Sequence, residues 1–96
     1  MTTETKKATV RQSYRQSIST KYLGPTNFRG ARIKASAEAG AMTVSWDHSL
    51  DVDENHAKAA KAFADKWGWG GEWIGGASPD RRGYVFVDVS KVDNFK

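Results

Sequence analysis

Four residues with side chains able to bind a metal lie close together in the middle of the chain: Asp51, Asp53, Glu54 and His56. A calcium-binding EF-hand loop beginning at Asp51 would need glycine at its sixth position and glutamate at its twelfth. Those positions hold His56 and Ala62. Zinc would need further histidine or cysteine ligands at a suitable spacing. Acidic residues are also typical of a helix N-terminus, where they cap the first turn. We therefore predict no metal site and no cofactor.

The two histidines are the residues that could take part in acid–base catalysis. His48 lies between Asp47 and Ser49, but neighbouring residues of an extended segment point to opposite faces, so this trio does not form a relay. His56 lies on the apolar stripe of a predicted helix, where a lone histidine is usually a partly buried core residue. The glycines of segment 68–71 follow that helix, whereas a dinucleotide-binding loop precedes one. We expect a protein that is not an enzyme.

A set of basic residues is the strongest candidate for a binding surface. In the predicted strands, Lys21, Arg32 and Lys34 project from one side by the alternation of side chains. We predict nucleic-acid or partner binding by six cations of this surface and its surroundings: Lys21, Arg29, Arg32, Lys34, Arg15 and Arg11. No aromatic residue alternates into this face, so contact with the nucleic-acid backbone is expected rather than base stacking. The alternative interpretation is an ordinary solvated sheet face without a binding role.

The strands that would position these residues are predicted from hydrophobic alternation. Alternating apolar and polar residues indicate strands over 18–23, 30–37 and 42–47, joined by short loops into an antiparallel meander. After a helix, a short irregular strand among the glycines near residue 73 and a regular strand over 84–89 follow. The order β-β-β-α-β-β predicts an α+β fold, an antiparallel sheet with one helix packed on one face.

The helix carries the clearest signals in the chain. Asp51 is a suitable N-cap and Glu54 follows three residues later, which predicts a capping box. Gly68 suits the left-handed residue that closes a helix. Apolar residues recur at helical spacing between these two ends and predict the face that packs on the sheet.

The four tryptophans allow two interpretations, burial in the core or stacking against bases or sugars. Trp46 fits the core by strand register, and Trp67 fits it by its place on the helical stripe. Trp69 and Trp73 lie among glycines, and the pattern leaves both interpretations open for them.

Length and composition indicate one small domain. The chain has 96 residues, no cysteine and a net charge of +4, and the polar N-terminus is unlike a secretory signal. Residues 1–40 carry eight basic and two acidic residues, whereas residues 41–96 carry seven and nine. We predict a flexible basic N-terminal arm over 1–16, a single α+β domain over 17–90 and a loose tail over 91–96. We expect the protein to be cytoplasmic, with no membrane contact.

Several short motifs resemble those of small proteins encoded by phages, prophages and plasmids. They are the segment 20–35, of pattern TKYxGPTNxRGxRIKA, then Trp46-Asp47-His48, Asn55-His56 and Gly83-Tyr84-Val85-Phe86-Val87. The resemblance covers about residues 18–89. That group has no assigned activity, so the resemblance implies no catalytic residues. It implies a mobile-element setting, in which small proteins are often nucleic-acid accessories or inhibitors of host defence.

The sequence thus leaves three functional hypotheses. The first is a binding protein that engages nucleic acid or a nucleoprotein complex through the basic face. The second is an inhibitor, similar in action to an anti-CRISPR, that docks on a host protein. The third is an enzyme, which would need one of the two histidines in a cleft beside a carboxylate.

Overall fold

The computed structural model of the chain describes Ala8 and residues 15–89. Its elements follow the order β1 (Ile18–Leu23), β2 (Arg32–Ala37), β3 (Gly40–Ser45), α1 (Val52–Lys66), β4 (Trp73–Ala77) and β5 (Gly83–Asp88). The five strands form one antiparallel sheet of order β3-β2-β1-β5-β4. The predicted α+β fold is confirmed. Arg11, most of the predicted arm and the predicted tail lie outside the described residues.

The core lies between one face of the sheet and helix α1. Inward and outward side chains alternate along each strand, and the edge strand β4 is largely exposed. The buried apolar residues come from both layers: Ile18, Ile33, Ala35 and Phe86 from the sheet, and Ala59, Ala60, Phe63 and Ala64 from the helix. Burying a large apolar side chain contributes about 1.5–3 kcal/mol, and the helix alanines allow the two layers to approach closely. The opposite face of the sheet, here called the outer face, is not covered by a described element.

Both predicted ends of the helix are confirmed. The Asp51 side chain accepts a hydrogen bond from the Glu54 amide at 2.8 Å, and the Glu54 side chain accepts one from the Asp51 amide at 3.0 Å. These reciprocal bonds satisfy two donors that a helix N-terminus otherwise leaves unpaired. At the other end Gly68 has a φ of +72°, which glycine adopts without steric cost.

The core interpretation of Trp67 is wrong, whereas that of Trp46 holds in part. Trp67 is 40% exposed, because it is the C-cap, at the point where the helix ends. Its ring lies against Gly40, the first residue of β3. Trp46 is partly buried against the core. Trp69 and Trp73 are also packed against the core, with their rings stacked at a centroid distance of 6.1 Å.

Over residues 15–89, no helix combines the length and the apolar character that crossing a membrane requires.

Candidate nucleic-acid interface

Three of the predicted binding residues meet on the outer face of the sheet. Lys21 in β1 lies directly opposite Lys34 in β2, and Arg32 begins β2 on the same side of the sheet. Residues directly opposite on antiparallel strands have Cβ atoms about 4.5–5.5 Å apart. The sheet therefore places two lysines side by side with an arginine nearby. We call these three residues, with their hydroxyl neighbours, the basic sheet face.

The hydroxyl neighbours extend the basic sheet face across three strands. They are the outward-facing residues Ser19, Ser36, Thr43 and Ser45, which the strand register places beside the three cations. Hydroxyl groups donate hydrogen bonds to phosphate oxygens, as lysine and arginine do. No described strand carries a carboxylate on the outer face, and the outward positions of β4 and β5 are apolar or glycine. The polar half of this face consists of hydrogen-bond donors.

The arrangement of Lys21 and Lys34 costs stability in the isolated protein. Like charges directly opposite on neighbouring strands repel each other. Among residues 15–89, no carboxylate lies within salt-bridge distance of Lys21, Arg32 or Lys34. The Arg32 side chain turns back toward the residues that precede β2, and its Nε donates a hydrogen bond to the Gly30 carbonyl at 3.3 Å. An anion bound over this face would relieve the repulsion between the two lysines.

Arg29 lies at one end of this face, in the loop between β1 and β2. The loop is closed by Thr26, whose amide donates to the Arg29 carbonyl at 2.7 Å and whose hydroxyl accepts from the Arg29 amide at 3.0 Å. Phe28 lies at its tip and is 94% exposed. This ring is not among the predicted binding residues, although an apolar residue between asparagine and arginine in a turn is a recognisable signal.

Arg15 is not brought to the basic sheet face. Its Nε lies 3.5 Å from a carboxylate oxygen of Asp88, on the helix side of β5, and its guanidinium lies over the Trp69 ring at 5.7 Å. Asp88 is only 3% exposed, and a buried carboxylate requires a positive partner. Arg15 therefore stabilises the fold, at the end of the sheet opposite the basic sheet face. Its neighbour Gln16 also contacts the domain, accepting a hydrogen bond from the Ala39 amide at 2.8 Å.

A groove lined by aromatic rings lies between the first turns of α1 and the nearest end of the sheet. It consists of two adjoining depressions, of about 350 and 440 Å³, that share Tyr22, Val52 and His56. The rings of Tyr22 and Trp46 meet edge to face, with their centroids 5.2 Å apart. The ring centroids of His56 and Tyr84 lie 4.5 Å apart. Tyr22 is 45% exposed, and Val52 is 52% exposed. We call this feature the aromatic groove.

Arginines of the turn between β4 and β5 border the aromatic groove. Arg81 and Arg82 line one of its depressions, and His48 lines the other. Arg81 has a φ of +62°, a left-handed conformation that non-glycine residues adopt at a cost of roughly 1–2 kcal/mol. The turn is secured by Asp80, whose carboxylate accepts hydrogen bonds from the Ser78 hydroxyl and the Arg82 amide. Neither arginine is among the predicted binding residues, because both lie in a turn far from the other cations along the chain.

His56 forms the buried floor of the groove. Its Nδ1 lies 2.7 Å from the Thr20 hydroxyl, and the residue is 2% exposed, which confirms its interpretation as a core histidine. Beside it, the Tyr84 hydroxyl donates to Asp53, and this hydrogen bond raises the pKa of Tyr84 above its ordinary value of 10.0. Burial lowers the pKa of His56 below 6.5, and the charge of Asp53 opposes this with a smaller effect.

The lowered pKa of His56 predicts a loss of stability in mild acid. The unfolded imidazole has a pKa of about 6.5, so between that value and the lower folded pKa the unfolded chain binds the extra proton. The free energy of unfolding therefore falls as the pH decreases through this window. We expect thermal unfolding at about pH 5.5 to begin at a lower temperature than at about pH 7.5. The variant His56→Gln should lose most of this dependence, and equal pH dependence in both proteins would contradict the prediction.

A third concave region lies at the other end of the helix. Its walls are small residues of α1 and the stacked rings of Trp69 and Trp73, and it encloses about 310 Å³. The Trp73 Nε1 donor is buried and has no hydrogen-bond partner among the described residues. Both rings are partly buried against the core and also line this depression.

The described part of the chain contains no group of three or more histidine, cysteine, aspartate or glutamate side chains arranged to hold a metal. Comparison with protein-family models, with curated proteins and with solved structures found no match to this chain.

Proposed function

We propose that this protein binds nucleic acid through the basic sheet face, with Lys21, Arg32 and Lys34 contacting phosphates of the sugar–phosphate backbone. The observation that carries the proposal is the composition of the polar half of the outer face. The outward residues of three adjacent strands are cations and hydroxyls except for Leu23 and Ala41, and none of them is a carboxylate. A solvated sheet face that served only solubility would mix charges of both signs.

The neighbouring loop residues strengthen the proposal. Arg29 and the fully exposed ring of Phe28 lie at the end of the basic sheet face, next to the first residues of β2. Arginine contacts phosphate, and an exposed aromatic ring can stack against a base whatever its identity. Phosphate contacts supply affinity that is independent of nucleic-acid sequence and strongly dependent on salt. A role as a nucleic-acid accessory would fit the mobile-element setting that the resemblance implies.

Charge reversal on the basic sheet face tests the proposal. We expect the wild-type protein to bind single- or double-stranded DNA or RNA at about 50 mM salt and to bind much more weakly at about 200 mM. The double variant Arg32→Glu/Lys34→Glu should lose two phosphate contacts. The slope of log affinity against log salt concentration is negative, and its magnitude should then decrease by about 2. Fluorescence anisotropy of labelled oligonucleotides measures both quantities.

A matched control separates a local surface from an effect of net charge. The double variant Lys61→Glu/Lys66→Glu makes the same change in net charge on exposed residues of α1, on the other side of the sheet. This variant should retain most of the wild-type affinity. Equal losses in the two variants would show that binding follows net charge and would contradict the proposal. Absence of binding at low salt would contradict it directly, and a host protein would then become the partner to seek by affinity capture.

A further inference from the structure

The aromatic groove is connected to the basic sheet face by a cation that borders both. Arg82 lines the larger depression of the groove, together with Tyr22 and His56. It also lines a smaller depression of about 150 Å³ that includes Lys21 on the outer face. Lys21 is also close enough to Asp80 for its charge to help lower the pKa of that carboxyl, after the larger effects of the Ser78 and Arg82 hydrogen bonds. Lys21 and Arg82 therefore place positive charge in one depression that leads from the outer face around the end of the sheet, and the Asp80 carboxylate of the turn lines the same depression.

The groove itself has the chemistry that receives a flat, partly apolar group. Each depression falls within the roughly 300–1,000 Å³ of typical small-molecule sites. The partly exposed Tyr22 ring is supported edge-on by Trp46, which keeps its orientation while leaving its surface accessible. Base–aromatic stacking of this kind tolerates any base, because every base has a π-face.

Charge complementarity identifies what such a group would be attached to. Two arginines, Arg81 and Arg82, line one depression of the groove, and neither depression is lined by a carboxylate. The nearby carboxylate of Asp53 is engaged by the Tyr84 hydroxyl. A nucleotide within a strand has both features, since its base is a flat ring and the phosphate beside it is negatively charged. A base paired inside a duplex keeps its faces stacked on its neighbours, so the ring must come from a single strand.

We propose that the aromatic groove receives an unstacked base of a single-stranded nucleic acid, with the phosphate beside that base held by Arg81 and Arg82. This inference rests on the proposed function, since the basic sheet face supplies the rest of the backbone contact. It differs from the sequence-based expectation of backbone contact alone, because Tyr22 faces the helix side of the sheet and the groove forms only where the turn of Arg81 folds beside it.

The test compares strands that have bases with a strand that lacks them. The probes are fluorescein-labelled oligodeoxythymidine, the same strand annealed to oligodeoxyadenosine, and an abasic strand of equal length, all at low salt. The wild-type protein should bind the oligodeoxythymidine about tenfold more tightly than the abasic strand, and more tightly than the duplex. Tyr22→Leu should weaken binding to oligodeoxythymidine about tenfold and leave binding to the abasic strand unchanged. Tyr22→Phe, which retains the ring, should behave as the wild type.

Arg81→Gly provides a second variant in which the fold is not at risk. Glycine adopts the φ of +62° without steric cost, so stability should be unchanged or slightly higher. One phosphate contact is lost, so the variant should bind both oligodeoxythymidine and the abasic strand a few-fold more weakly. Wild-type binding of thymidine and abasic strands with equal affinity, unaffected by Tyr22→Leu, would overturn the groove proposal and leave the proposed function standing. Absence of binding to every probe would overturn both.

Discussion

Replacing Gly83 by alanine is expected to destabilise the fold by about 3 kcal/mol or more, at the upper end of the penalties for overpacking. A Cβ atom added to Gly83 would lie 1.7 Å from the carbonyl oxygen of Thr20 and 2.8 Å from its carbonyl carbon. Both contacts are with backbone, which cannot rotate away. Thr20 belongs to β1, which is paired on both sides, so it cannot retreat without breaking strand pairs. Urea denaturation followed by tryptophan fluorescence measures the loss.

Gly76→Ala is the matched control for this variant. Gly76 lies in β4, the strand paired with β5, and a Cβ added there would meet no atom within 4 Å. Alanine at a compatible glycine position typically raises stability by about 0.4–1 kcal/mol, because it restricts the unfolded chain. Gly76→Ala should therefore be neutral or stabilising. Equal midpoints of urea unfolding for the two variants would show that Gly83 does not have the close contact described here.

Asn55→Ala is expected to destabilise the fold by about 1–3 kcal/mol, because the side-chain amide of Asn55 connects the helix to the loop before it. Asn55 is 1% exposed. Its Oδ1 accepts from the Asp47 amide at 2.8 Å, and its Nδ2 lies 2.9 Å from the Asp47 carbonyl and 3.0 Å from the Asp51 carbonyl. Alanine would leave the Asp47 amide without its partner, whereas the Asp47 and Asp51 carbonyls keep hydrogen bonds from the Leu50 and Asn55 amides. An unpaired group that is shielded from water costs about 1–3 kcal/mol. Urea denaturation again measures the change.

Ser49→Ala is the control for Asn55→Ala within the same loop. The Ser49 hydroxyl donates to an Asp47 carboxylate oxygen at 2.6 Å, but both groups of this bond are accessible to water. Its removal should change stability by no more than about 0.5 kcal/mol. If the two variants were equally stable, the buried amide would not be the connection that holds this loop. Trp46 begins the loop, so a loss of order there should also alter tryptophan emission in Asn55→Ala.

Much of the fold could be predicted because the relevant signals are local. The capping pair of Asp51 and Glu54 and the closing residue Gly68 each act within a few residues, and the structure has all three as predicted. Alternation along the strands also predicted that Lys21, Arg32 and Lys34 share one side. Such patterns depend only on the period of a strand or helix and hold wherever the element lies in the sheet.

The parts that could not be predicted depend on distant pairing. Nothing in the local pattern indicates that β5 lies beside β1, and this pairing is what brings Tyr84 and the turn of Arg81 next to Tyr22. The aromatic groove was therefore invisible to sequence analysis. Trp67 was misplaced for a related reason: helical spacing marked it as a core residue, but the spacing does not show where the helix ends relative to the sheet. Arg15 was grouped with the other cations because the burial of its partner Asp88 is a tertiary property.

The central position of β1 has a consequence for the order in which the molecule forms. β1 pairs on one side with β2, which follows it directly in the chain, and on the other side with β5, the last strand, so that Ile18 meets Phe86. Closing so long a loop carries an entropic penalty that local hairpins avoid, and it slows folding. During synthesis the edge of β1 stays open to chance pairing until β5 has left the ribosome. The basic sheet face and the aromatic groove both include β1, so they reach their final form in the same late step.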